Sequence, residues 1–197
     1  MSSYGFRPEV FLLAVLVVGA CGRGDNGSSA DTTHTMLNPA AADTAQPASP
    51  LSDAHILALL DQASLTDSAA AALATGKATN SDLRAYARQA MQDHGQLRRE
   101  AERVARRLRL TLDVPPGDES VAEREAILEL LNGAERGQDF DKAYLDHEVA
   151  FHLDVLEVAT SAMELARETE VQAFIQQLAP MLRDHLDRAQ ELQRRVR

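Results

Sequence analysis

The sequence predicts an all-α protein, an antiparallel bundle of four long helices with a short extra helix between the second and the third. Three observations carry this. After Pro50, glycine and proline are nearly absent from the long segments, which are dominated by Ala, Leu, Arg, Gln and Glu, all good helix formers. No alternating β-branched run occurs, as a half-buried strand would need. Each long segment carries one apolar stripe at three-four spacing and a charged remainder. Such a helix is unstable alone. Four of them, each on the order of 40 Å long, bury their stripes best against one another.

The first helix is expected from about Ser52 to Ala74, with Ile56, Leu60, Ala63, Ala70 and Ala74 inward and Gly76 as terminator. The second starts at Asn80, a good N-cap, and carries Leu83, Tyr86, Ala87, Ala90, Leu97, Ala101, Val104 and Leu108. Pro115-Pro116-Gly117 breaks the chain. A short helix follows from Ser120 to Asn132, where Ser120 and Glu123 form a capping-box pattern, and Gly133 and Gly137 punctuate the next turn. The third long helix covers Asp139 to Ala166. The fourth begins at Thr169, with Gln172 completing a second capping box, and Pro180 predicts a kink or bulge within it. The stretch between the second and third long helices can cross the length of the bundle or fold back locally.

Residues 1–20 read as a targeting segment. Arg7 precedes an apolar run from Val10 to Val18, too short to span a bilayer, which takes about 20 apolar residues. The run ends in Val18-Gly19-Ala20-Cys21, which resembles the lipobox of bacterial lipoprotein signal peptides and marks Cys21 for lipidation. The alternatives are an ordinary secretory signal with Cys21 incidental, or an uncleaved anchor. Cys21 is the only cysteine, and once consumed by lipidation it leaves none for disulfides, thiolate zinc sites or thiol catalysis. Residues 21–50, rich in Gly, Ser, Ala, Thr, Asp and Pro, read as a flexible tether, and residues 51–197 as the folded domain. Removing residues 1–20 takes away Arg7 and Glu9, so the formal charge stays at −10. That argues against a nucleic-acid partner and leaves membrane attachment to the lipid anchor. The expected location is the cell envelope, facing the periplasm, with the outer membrane favoured over the inner.

Polar residues interrupt every apolar stripe. Asp67 sits between Ala63 and Ala70, His94 between Ala90 and Leu97, and His185 between Leu182 and Ala189. Glu148 and His152, four apart, share a face of the third long helix. Counted from the helix ends, these side chains fall within about one turn of a common layer. Two readings stay open. Asp67, His94, Glu148, His152 and His185 ligate a divalent transition metal, or they form a buried polar layer that fixes helix register.

Three better-known signatures are absent. Di-iron carboxylate bundles need Glu-x-x-His pairs, and the residues three before His94, His152 and His185 are Met91, Val149 and Leu182. His147-Glu148 through His152 is one residue too long for a zinc-protease motif, since histidines five apart diverge by about 140° on a helix. No Gly-rich phosphate loop or nucleophile elbow occurs. Adjacent Asp93-His94 and Asp184-His185 point in different directions, so their aspartates should serve neighbouring helices or solvent. The second and fourth long helices also form a weak internal repeat, Leu83-Arg84-Ala85-Tyr86…Asp93-His94 against Val171-Gln172-Ala173-Phe174…Asp184-His185.

Three ordered motifs carry a family resemblance. Tyr86-Ala87 through Met91-Gln92-Asp93-His94, Phe140-Asp141-Lys142-Ala143-Tyr144 through Val149 and His152, and Leu178-Ala179-Pro180-Met181-Leu182 with Asp184-His185-Leu186 resemble the bacterial domain-of-unknown-function 4142 family. The resemblance covers residues 52–195. It implies a ferritin-like helical bundle, common in exported proteins labelled as outer-membrane proteins, and no established activity. Where that family often has Glu in its first helix, this chain has Asp67, whose reach is shorter. The expected function is a metal- or small-ligand-binding envelope lipoprotein, and the alternative is a metal-free structural or protein-interaction module. With no nucleophile, cofactor loop or di-metal set, an enzyme is the distant third.

Overall fold

Side-chain caps begin the first two helices of the computed structural model, which describes residues 51–196. Ser52 Oγ accepts the N–H of His55 at 3.2 Å, and α1 (Asp53–Lys77) follows. Asn80 Oδ1 accepts the N–H groups of Asp82 and Leu83 at 2.8 and 3.1 Å, opening α2 (Ser81–Leu108). Then come α3 (Ser120–Gly133), α4 (Gln138–Leu165) and α5 (Thr169–Val196). The described residues are all-helical, with no strand. The expected signal segment, Cys21 and the tether lie outside the described residues.

Three expectations about helix ends need correction. First, α1 does not stop at Gly76 but runs on to Lys77. Glycine costs about 1 kcal/mol in a helix. Lys77 offsets that by donating from Nζ to the carbonyls of Leu131, Asn132 and Ala134 at 3.0, 2.7 and 2.7 Å. These lie in and just beyond the last turn of α3, where carbonyls lack helical partners. Second, Ser120 is not a cap. Asp118 takes its N–H at 3.2 Å and its hydroxyl as well, so the capping box does not form. Third, Thr169 is already helical. The carbonyl of Glu168 accepts from Val171 and Gln172, and the Gln172 side chain donates to Ala166 O at 2.8 Å instead of reaching back to a cap. As expected, Gly137 starts α4: its φ of 128° belongs to glycine alone among common residues. α5 is helical on both sides of Pro180.

The chain ends fix the topology. Short connections join α1 to α2 and α4 to α5. At one end, Asp53 Oδ1 accepts the N–H groups of Arg167 and Glu168 at 3.0 and 3.4 Å, tying the start of α1 to the α4–α5 turn. Arg107, at the end of α2, pairs with Glu170 at the start of α5 at 2.6 Å. At the other end, buried Asp141 accepts from Thr79 N, Thr79 Oγ1 and Asn80 N at 3.0, 2.9 and 3.0 Å, tying the start of α4 to the α1–α2 turn. Thus α1 runs antiparallel to α2 and α4, and α5 antiparallel to both as well. The segment carrying α3 must cross the length of the domain, and it does so along α1, where Arg124 donates to Gln62 Oε1 at 2.9 Å.

The apolar core is divided in two. One cluster includes Ile56, Leu60, Val104, Val155, Phe174, Leu178 and Leu182. The other includes Ala70, Ala74, Leu83, Tyr86, Phe140, Tyr144, Leu145 and Leu192. Phe140, Tyr144 and Phe174 fill the core as expected, whereas Phe151 is only partly buried.

Asp141 joins the start of α4 to the α1–α2 turn, so its removal strands three donors. The Asp141→Ala variant should lose about 2–4 kcal/mol of unfolding free energy, read as a lower urea midpoint at unchanged m-value.

Candidate metal centre

Between the two apolar clusters lie the polar residues singled out from the stripes. Asp67 of α1, Glu148 and His152 of α4 are fully buried, and His94 of α2 and His185 of α5 nearly so. Each falls on the inward face because the three-four spacing of its helix puts it there.

Four of the five converge. Asp67, His94, His152 and His185 each present one ligand atom, and these atoms lie within 4.8 Å of one another. The three imidazoles form a near-equilateral triangle, with ring centroids 5.7 Å (His94–His152), 5.4 Å (His94–His185) and 5.3 Å (His152–His185) apart. Asp67 Oδ2 sits 2.8 Å from His94 Nε2 and 3.4 Å from His152 Nε2. The histidines of the internal repeat, His94 and His185, therefore meet at this layer.

Hydrogen bonds on the far side of two rings set which nitrogen points inward. His152 Nδ1 lies 2.8 Å from the carbonyl oxygen of Glu148, so Nδ1 carries the proton and Nε2 keeps its lone pair. His185 Nε2 lies 3.0 Å from Asp93 Oδ2 and donates to it, leaving the Nδ1 lone pair free. Metal-bound histidines are held in this way. Of the inward atoms, His152 Nε2, His185 Nδ1 and Asp67 Oδ1 are buried without a hydrogen-bond partner, while Asp67 Oδ2 and His94 Nε2 face each other at 2.8 Å. Each orphaned polar atom costs about 1–3 kcal/mol, so a hydrogen-bonded polar layer leaves His152 Nε2, His185 Nδ1 and Asp67 Oδ1 without a stabilising partner. The donor set fits a divalent transition ion. Bonds of 2.0–2.1 Å would put tetrahedral ligand atoms about 3.3 Å apart, so the group would tighten around an ion.

Glu148 does not join the group, which corrects its place among the expected ligands. Its Oε2 accepts from the Tyr86 hydroxyl at 2.7 Å and stands 3.7 Å from His152 Nδ1, the nitrogen facing away from the site. Burial, reinforced by the charge of Asp67, pushes its carboxyl well above the usual range, against the opposing bond from Tyr86. The backbone carbonyl of Glu148 is what touches His152. Asp67 differs. Burial would raise its carboxyl, yet the His94 and His152 imidazoles hold it well below the usual range.

Asp93 serves a neighbouring helix, as the sequence indicated, but its role as the partner of His185 was not foreseen. The signal was the weak repeat, which puts Asp-His pairs on two helices that prove adjacent. His147 was set aside with the protease motif, and it does lie outside the ligand group. Its Nε2 is nevertheless buried without a partner. Burial pushes its ring down to about 4, with the Asp67 charge opposing.

The molecule is thus an all-helical protein with a buried three-histidine, one-aspartate group at mid-height. The family described as "Domain of unknown function (DUF4142)" matches residues 38–192, and the chain belongs to that family. No curated protein and no solved structure matches it.

His147 and His152 both titrate near 4 in the fold, chiefly through burial, against about 6.5 when unfolded. Between these values the unfolded chain binds more protons, so stability falls as pH is lowered from 6.5 towards 4. Denaturant unfolding of chelator-treated protein at pH 7.5, 6 and 4.5 should show a falling midpoint. A flat profile would mean that these rings are not held neutral.

Proposed function

We propose that this protein is an envelope lipoprotein whose ferritin-like four-helix bundle binds one divalent transition-metal ion through Asp67, His94, His152 and His185. The observation that carries the reading is the convergence of buried ligand atoms from four helices, with two rings oriented by outer hydrogen bonds. Three imidazoles and a carboxylate suit zinc, manganese, iron, cobalt or copper, whereas magnesium and calcium favour all-oxygen sites. The long crossover between α2 and α4 supports the ferritin-like reading. The site holds one carboxylate where ferritin-like di-iron sites use several, which favours a single ion. The cavity bordering His94, of about 10 Å³, leaves no room for an organic substrate. That favours binding or storage of the ion over turnover of a metabolite.

The envelope assignment rests on the Val18-Gly19-Ala20-Cys21 sequence and the tether composition. A metal-free interaction module is the second reading, favoured by the outward-facing Val121 and Leu130 of α3, 48 and 49 % exposed.

Protein purified without a histidine tag should carry near-stoichiometric metal by elemental analysis. Saturation of the chelated form at about a hundred times Kd should raise Tm by roughly 5–10 °C. His152→Ala or His185→Ala should abolish binding, and Asp93→Asn should weaken it about 10–100-fold. No metal, and no shift with zinc, manganese, iron or copper, would sink the proposal. Separately, Cys21→Ser should move the protein out of the membrane fraction of a bacterial host. Retention in the membrane would favour an uncleaved anchor.

A further inference from the structure

The ligand group is sealed, so an ion needs a route to it, and one face of α4 supplies an unexplained side chain. His147 is only partly buried as a residue, whereas its Nε2 is cut off from solvent and pairs with nothing. The imidazole therefore reaches from the surface inward, towards the Asp67 carboxylate whose charge acts on it. One turn further along α4, the partly buried Phe151 ring contacts three histidines. Its centroid is 5.6 Å from His147, 5.4 Å from His152 and 6.3 Å from His94. Phe151 thus stands between the outer imidazole and two of the inner ones. Above this face lies α3, which packs on both α1 and α4. The charges of Asp118, Glu119 and, from α4, Asp154 all act on Glu123 of α3. Asp154, seven residues beyond His147, shares its face of α4, so the surface outside His147 and Phe151 carries acidic side chains, and Arg124 donates to Gln62.

Resting on the metal-binding reading, we propose that a divalent cation reaches the ligand group along the α1–α4 seam beneath α3. His147 is the transient ligand that takes the ion inward, and the Phe151 ring is the wedge that turns aside to let it pass to Asp67. A neutral imidazole with an inward lone pair can hold the ion for one step of desolvation. It cannot share the final site with His152, because five residues of helix turn the two rings apart. The acidic rim raises the local cation concentration, an effect that salt screens.

Cobalt(II) is the probe, added to the metal-free full chain, with visible absorption reporting the ligand field over time. His147→Leu and His147→Gln should reach the wild-type stoichiometry and spectrum, but load several-fold more slowly. Phe151→Ala should load faster and release faster to a chelator. Glu123→Gln with Asp154→Asn should slow loading at low salt and not at high salt. Circular dichroism checks that each variant is folded. Loading at wild-type rate in both folded His147 variants would overturn the route. A changed final spectrum or stoichiometry would overturn it too, making His147 a resident ligand. In either case the four-residue site stands if wild-type protein binds cobalt. Wild-type protein that binds no cobalt removes the site and the route together.

Discussion

A fully buried carboxylate is the constraint on which the rest of the structure turns. Asp67 sits on an alanine-rich helix with no solvent exposure, and its carboxylate faces only imidazoles, His94 Nε2 at 2.8 Å and His152 Nε2 at 3.4 Å. Removing such a charge from water costs several kcal/mol even after relaxation. Only cationic or strongly polarising neighbours offset that, and α2, α4 and α5 each bring one imidazole to the same point. Burial and the Asp67 charge push the carboxyl of neighbouring Glu148 the other way, well above its usual range, and it accepts from the Tyr86 hydroxyl. The division of the core into two apolar clusters follows, because the polar layer occupies the middle of every stripe.

Convergence at one depth requires that four helices be fixed along their axes, and the clamps lie at the ends rather than at the site. Asp53 holds the α4–α5 turn, Asp141 holds the α1–α2 turn, and Lys77 holds the last turn of α3. Each is a charged group meeting backbone donors or acceptors that a helix end leaves unpaired. Such bonds are directional, so they set register to a fraction of a turn, which apolar contacts between alanine-rich helices do poorly. A slip of one residue on any helix rotates its polar side chain by about 100° and removes it from the layer.

Much of this was legible in the sequence because helical periodicity is a strong signal. All five helices, the Asn80 cap and the inward placing of Asp67, His94, Glu148, His152 and His185 followed from spacing alone. The errors share a cause. Gly76, Ser120 and Thr169 were assigned from local propensity, and each was overridden by a specific hydrogen bond: Lys77 to the distant end of α3, Ser120 to the adjacent Asp118 carboxylate, and Gln172 to the nearby Ala166 carbonyl. The crossover was undecidable from spacing, since either path gives nearly the same depth count. Glu148 was grouped with the ligands because periodicity gives a face but not a rotamer. Its carboxyl turns to Tyr86 while its carbonyl orients His152.

Were the group to bind metal as proposed, its charge would favour one ion over two. Two divalent ions bring four positive charges, which di-metal helical sites balance with several carboxylates. Here Asp67 is the one carboxylate among the four clustered residues, while Asp93 is held behind the His185 ring and Glu148 is tied to a phenol. A single divalent ion on Asp67 and three neutral imidazoles leaves a net charge of one, which the Asp93 carboxylate behind His185 partly balances through the ring. Lengthening the first-helix carboxylate to glutamate would move its oxygens by one methylene into a layer already crossed by three rings 5.3–5.7 Å apart. The shorter aspartate therefore suits a compact mononuclear group, and the departure from a first-helix glutamate is consistent with this geometry.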